Sequence, residues 1–128
     1  MKESLRYLQN ARQILRKAHR EGHIYTDIKP VREACGTAYL AVLEAINEYL
    51  LAKGFTKKEL PSSVQAYQQT LRKYLGIHNG KLHKEFDMLY DALHLAGYYR
   101  GWLSDVEMVR DALNAAQQFI EKLGSPHE

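Results

Sequence analysis

The residues whose types could do chemistry are six histidines, one cysteine and a dense aromatic–arginine stretch, "LAGYYRGWLSDVE", Leu95 to Glu107. His19 and His23 are four apart, but Gly22 lies between them and works against a shared helical face. His78 and His83 flank an Asn79-Gly80 turn. Neither pair has a carboxylate at the HExxH or ExxH spacing that a helical metal site uses, so no metal site and no cofactor is expected. Cys35 sits beside Ala34 and Ala38 with no activating neighbour in sequence, which reads as a small buried hydrophobe rather than a nucleophile. No glycine-rich phosphate loop and no serine elbow occurs.

Tyr98, Tyr99, Arg100 and Trp102 are the candidate residues for ligand or partner binding, because aromatics beside arginine can stack on nucleobases or anchor a protein interface. The same four residues fall at a joint between two apolar periodic stretches. The expectation is a helix corner closed by the three aromatic rings, with Arg100 its one group for polar recognition. Gly97 and Gly101 would supply the backbone freedom of the corner.

The elements that position these residues are helical throughout. Leu5, Leu8, Ala11, Leu15 and Ala18 recur at helical spacing over Ser4–Arg20, with the arginines of that stretch mostly off the stripe. A second helix opens near Asp27–Pro30 and runs to Lys53, with Asp27 a candidate cap and Gly54 a stop. Its apolar face, Ala34, Cys35, Ala38, Val42, Ala45 and Ile46, is rich in small residues, the pattern of a central helix with close neighbours. Ser62 with Gln65 predicts a capping box for a third helix reaching Gly76. A fourth helix follows from Asn79 to Ala96. Ser104 with Glu107 predicts a capping box for a fifth, ending at Gly124. No strand-like alternation is evident. The expected architecture is all-α: a single up-and-down bundle of about five helices forming one domain over residues 1–128.

Composition agrees with an ordinary globular chain, 45% hydrophobic and 26% charged. No apolar run suits a membrane span or a secretion signal, and one cysteine offers no disulfide, so a cytoplasmic location is expected. The net charge of +3 is unevenly spread. Residues 1–84 hold 15 basic and 7 acidic side chains, a balance of +8, and residues 85–128 hold 3 and 8, a balance of −5. A basic face for RNA or a nucleotide is one reading of this split. The other is that acidic C-terminal helices lie against basic N-terminal ones and partly neutralise them.

Three segments carry a resemblance. "AYLAVLEAINEYLLAKGF", Ala38 to Phe55, resembles the second helix of the HEPN family of small helical bundles. "SLRYLQNARQILRKA" is similar to that family's opening helix, and "DVEMVRDALNAAQQFIEKL" to its closing one. The resemblance implies a homodimer and, for HEPN ribonucleases, an arginine followed within two helical turns by a histidine. Arg100 stands at about the matching place, yet Gly101 to Leu113 contains no histidine. The pair that would activate an RNA 2′-hydroxyl and stabilise the cleaved phosphate is incomplete there. Arg72–His78 is the best displaced alternative, ahead of Arg12–His19 and Arg16–His23. The resemblance therefore points to a non-catalytic binding or assembly module, with a nucleotidyltransferase or another protein as partner. A ribonuclease with a displaced pair is the alternative, and an RNA or nucleotide binder is a third.

Overall fold

The computed structural model describes residues 2–74 and 81–124. Helix α1 spans Glu3–Arg16, and a short hairpin of β1 (Arg20–Glu21) and β2 (Ile24–Tyr25) follows. Helix α2 spans Ile28–Ala52, α3 spans Val64–Tyr74, and α4 spans Lys81–Leu89. A π-helical segment, Tyr90–Tyr99, continues α4 without a break, and α5 spans Val106–Gly124. Among the described residues the architecture is an all-α bundle of five helices, with one small antiparallel hairpin and a single short 3-10 turn at Lys57–Glu59. Among the described residues no helix is long and apolar enough to cross a membrane.

Helix α2, 25 residues and so about 37 Å long, is the axis of the bundle. It packs against α1, the π-helical segment and α5. Its small residues make that possible: Ala34, Cys35, Ala38, Ala41, Val42 and Ile46 are all fully buried, as the sequence predicted for five of the six. Asp27 caps its first turn by accepting from the Lys29 N–H at 3.3 Å. At its far end Gly54 takes φ +104° and the Phe55 N–H donates to the Leu50 carbonyl, a glycine-terminated helix stop. The buried Ser4 ties α1 to α2, its N–H and Oγ both donating to the Glu48 carboxylate at 3.1 and 2.7 Å.

Three local expectations change. The first helix stops at Arg16 rather than Arg20, because the chain turns into the hairpin, with Gly22 at φ +60° in its two-residue loop. The start of α5 adds to that hairpin. Ile24 bridges Asp105, the Tyr25 N–H donates to the Ser104 carbonyl, and the Val106 N–H donates to the His23 carbonyl, each at 2.8 Å. The caps also shift by one residue. Ser63, not Ser62, accepts from the Ala66 N–H, and Asp105, not Ser104, accepts from the Met108 N–H at 2.9 Å. Helix α5 begins at Val106, so Asp105, directly before it, holds the capping position.

Ala38 has no exposed surface in the middle of α2. Ala38→Leu is expected to overpack the bundle axis and cost about 1–3 kcal/mol in urea denaturation. An unchanged midpoint would mean the axis has slack at this point.

Candidate recognition ledge

The segment joining the π-helical stretch to α5 is fixed from two sides. From its own chain, the Arg100 N–H donates to the Leu95 carbonyl and the Trp102 N–H to the Ala96 carbonyl, both at 2.8 Å. Gly101 makes the reversal with φ +66°, a conformation costly for a residue with a Cβ. From α2, Arg32 donates through Nε to the Tyr98 carbonyl at 2.8 Å and through Nη2 to the Tyr99 carbonyl at 2.9 Å. These carbonyls end the helix and have no onward helical partner, so one guanidinium satisfies both.

The frame turns the aromatics outward. Tyr98, Tyr99 and Trp102 are 47%, 60% and 70% exposed, while Leu103 beside them is buried. Trp102 and Tyr99 therefore do not plug the helix corner as the sequence suggested. Leu103 is the buried side chain there, and Gly97 lets the backbone approach Cys35 closely. The Arg100 guanidinium lies over both exposed rings, 5.3 Å from the Tyr99 centroid and 5.4 Å from that of Trp102. Three of the four candidate residues, Tyr99, Arg100 and Trp102, thus meet in one ledge, with two rings and a cation facing solvent together, while the Tyr98 ring turns to the groove beside it, against His94.

Sequence reasoning missed the groove beside it. Tyr90, His94 and Tyr98 stack along the π-helical segment, with centroids 5.3 and 6.0 Å apart and interplanar angles of 23° and 21°. Tyr39 of α2 lies 4.9 Å from His94. Together with Glu33, Gly36, Thr37 and Leu40, Tyr39, His94 and Tyr98 line a cavity of about 400 Å³. Burial pushes the Tyr39 hydroxyl above its ordinary range, with Tyr90 and Tyr67 adding to the shift, so it stays a neutral donor. The four-residue spacing of Tyr90, His94 and Tyr98 was the available signal. Arg32, which sets the frame, gave none.

The other chemistry candidates disperse. Cys35 is buried, and burial pushes its thiol up to about 11, so it stays protonated and inert at neutral pH. Arg72 donates through Nε to His83 Nε2 at 2.8 Å, and the same nitrogen lies 3.3 Å from Asp87 Oδ2. Gln68 holds the other Asp87 oxygen at 2.9 Å. His78, the histidine paired with Arg72 on sequence grounds, lies outside the described residues. Among the described residues no group of three histidine, cysteine, aspartate or glutamate side chains is placed to hold a metal ion.

The all-α bundle is shared with a known chain. The chain belongs to the family described as Domain of unknown function (DUF5618), whose model matches residues 1–125. A solved protein of unknown function from Dyadobacter fermentans is similar in sequence and structure: 32% identity over 94% of this chain and 90% of that one, with a TM-score of 0.77. No curated protein matches.

Removing the Trp102 ring should cost the fold little, within about 0.5 kcal/mol, since it is mostly in water. Asp105→Ala should cost about 1 kcal/mol through the lost cap. Urea denaturation of the two variants checks the contrast. A Trp102→Ala loss as large as that of Asp105→Ala would make the ring part of the core.

Proposed function

We propose that the chain is a non-catalytic, HEPN-like binding and assembly module that acts as a homodimer in the cytoplasm, with the Tyr99–Trp102 ledge as its contact surface. The observation that carries this reading is the pairing of exposure with rigidity. Tyr99 and Trp102 stand mostly in water, yet Arg32 and two backbone bonds hold the segment that bears them. Aromatics and arginine are the residues that dominate binding energy at interface centres, and a preformed surface loses little entropy on docking. A second apolar surface supports an assembly role. Met88 and Met108, 71% and 57% exposed, line a groove between α4 and α5 with Leu89, Ala92, Ala112 and Ala115. The HEPN resemblance of the first, second and last helices agrees with a bundle centred on α2, and it suggests a nucleotidyltransferase as the kind of protein a homodimer would serve.

The ribonuclease reading keeps one observation in its favour, the contact of Arg72 with His83 and of His83 with Asp87. There the Arg72 Nε–H is already engaged by the imidazole, and Asp87 adds negative charge where a phosphate would sit.

Trp102 is the only tryptophan, so its emission reports on the ledge alone. In sedimentation equilibrium the mass should double with rising concentration, and Trp102 emission should shift to the blue over the same range. Tyr99→Ala/Arg100→Ala should remain folded and monomeric. A wild-type monomer with unshifted emission, or a variant that dimerises equally well, contradicts the assembly reading. RNA incubated with the same preparation should stay intact. Cleavage abolished by both Arg72→Ala and His83→Ala would establish the ribonuclease instead.

A further inference from the structure

A second site lies on another side of the bundle, where α1, the hairpin and α5 meet. Arg12 and Arg16 of α1, Arg20 of β1 and Arg110 of α5 converge on one pocket of about 480 Å³, walled by Tyr25 and Val106. Four guanidinium groups around one pocket repel one another, and among the described residues no carboxylate lines it. Among the described residues none of the four is ion-paired. Arg12 is fixed in place, its Nη2 donating to Asn114 Oδ1 at 3.1 Å and to Gln117 Oε1 at 2.7 Å. Both partners are neutral amides, so Arg12 is oriented without losing its charge.

The hairpin explains why the four meet. The pairing of β2 with Ser104 and Val106 carries Arg20 and Tyr25 to the start of α5, one turn before Arg110. Burial raises the Tyr25 hydroxyl above its ordinary range, and the charges of Arg20 and Arg110 pull it partly back. The neutral hydroxyl is a donor among donors.

We propose that this pocket binds a compact polyphosphate, such as the diphosphate or triphosphate of a nucleotide, through Arg12, Arg16, Arg20 and Arg110. Guanidinium forks match phosphate oxygens in pairs, and several charges on one small ligand answer four arginines with no competing carboxylate among the described residues of the lining. The concave shape favours a compact group over an RNA strand, which needs a groove that tracks successive phosphates with bases stacked beside it. This site is separate from the ledge and stands whether or not the chain dimerises.

The test is isothermal titration calorimetry of the full chain with inorganic pyrophosphate, inorganic tripolyphosphate and a short single-stranded RNA. Pyrophosphate and tripolyphosphate should each bind once per chain, with affinity that falls as salt rises from about 50 to 200 mM. Arg20→Gln and Arg110→Gln, both at exposed positions and expected to fold normally by circular dichroism, should each weaken binding about tenfold or more. Arg6→Gln should change nothing, because Arg6 lies outside the pocket and pairs with Glu3 at 3.3 Å. Absence of binding heat, equal weakening by Arg6→Gln, or RNA bound more tightly than tripolyphosphate would each overturn the assignment.

Discussion

The crossing of the π-helical segment over α2 is the constraint on which the rest of the molecule depends. The two backbones meet where side chains are missing. A Cβ on Gly97 would lie 2.6 Å from Cys35 Sγ and 2.7 Å from Cys35 Cβ, and one on Gly36 would lie 2.8 Å from the Tyr98 ring. Neither position tolerates a methyl group without displacement of a packed neighbour. The close approach brings the Tyr98 and Tyr99 carbonyls within reach of Arg32, and that clamp sets the direction in which Tyr99, Arg100 and Trp102 leave the bundle. Gly101 completes the geometry, since Arg32 Cδ already lies 3.1 Å from where its Cβ would stand.

The charge asymmetry is not cancelled by ion pairs where α1 meets α5 among the described residues. There Arg12 finds Asn114 and Gln117 instead of carboxylates. Lys122 pairs with Glu85 inside the acidic half. Mutual neutralisation of the two halves, one reading of the sequence, therefore does not occur at this contact. Four arginines line one pocket beside the hairpin, and the aromatic ledge lies on the segment just before α5.

Periodicity made the helices legible. The small-residue face of α2 showed its central place, and Asp27 and Gly54 marked its ends correctly. What stayed hidden depended on partners distant in sequence. Ser104 looked like the cap of α5 because Glu107 follows three residues later, but its carbonyl accepts from Tyr25 of the hairpin and Asp105 holds the cap. The hairpin itself had a local sign, Gly22 ahead of the strand formers Ile24, Tyr25 and Thr26, which is short enough to be lost between two long helices. Tyr98, Tyr99, Arg100 and Trp102 were identified as a group, and their types predicted a cluster. Their exposure was not legible, because it follows from Leu103 being the buried side chain at the corner and from Arg32, 66 residues before Tyr98 in the chain. Gly97 read as a flexible joint. It is a contact point inside a continuous helical segment.

The most direct measurement of this account is a double-mutant cycle in urea denaturation between Gly97→Ala and Cys35→Gly. In a helix with room, Gly→Ala stabilises by about 0.5–1 kcal/mol. Here Gly97→Ala should instead destabilise by about 1–3 kcal/mol. Cys35→Gly in the same chain should recover part of that loss, giving a coupling above about 0.5 kcal/mol. A stabilising Gly97→Ala, or two strictly additive effects, would contradict the claim that this crossing sets the structure and aims the ledge.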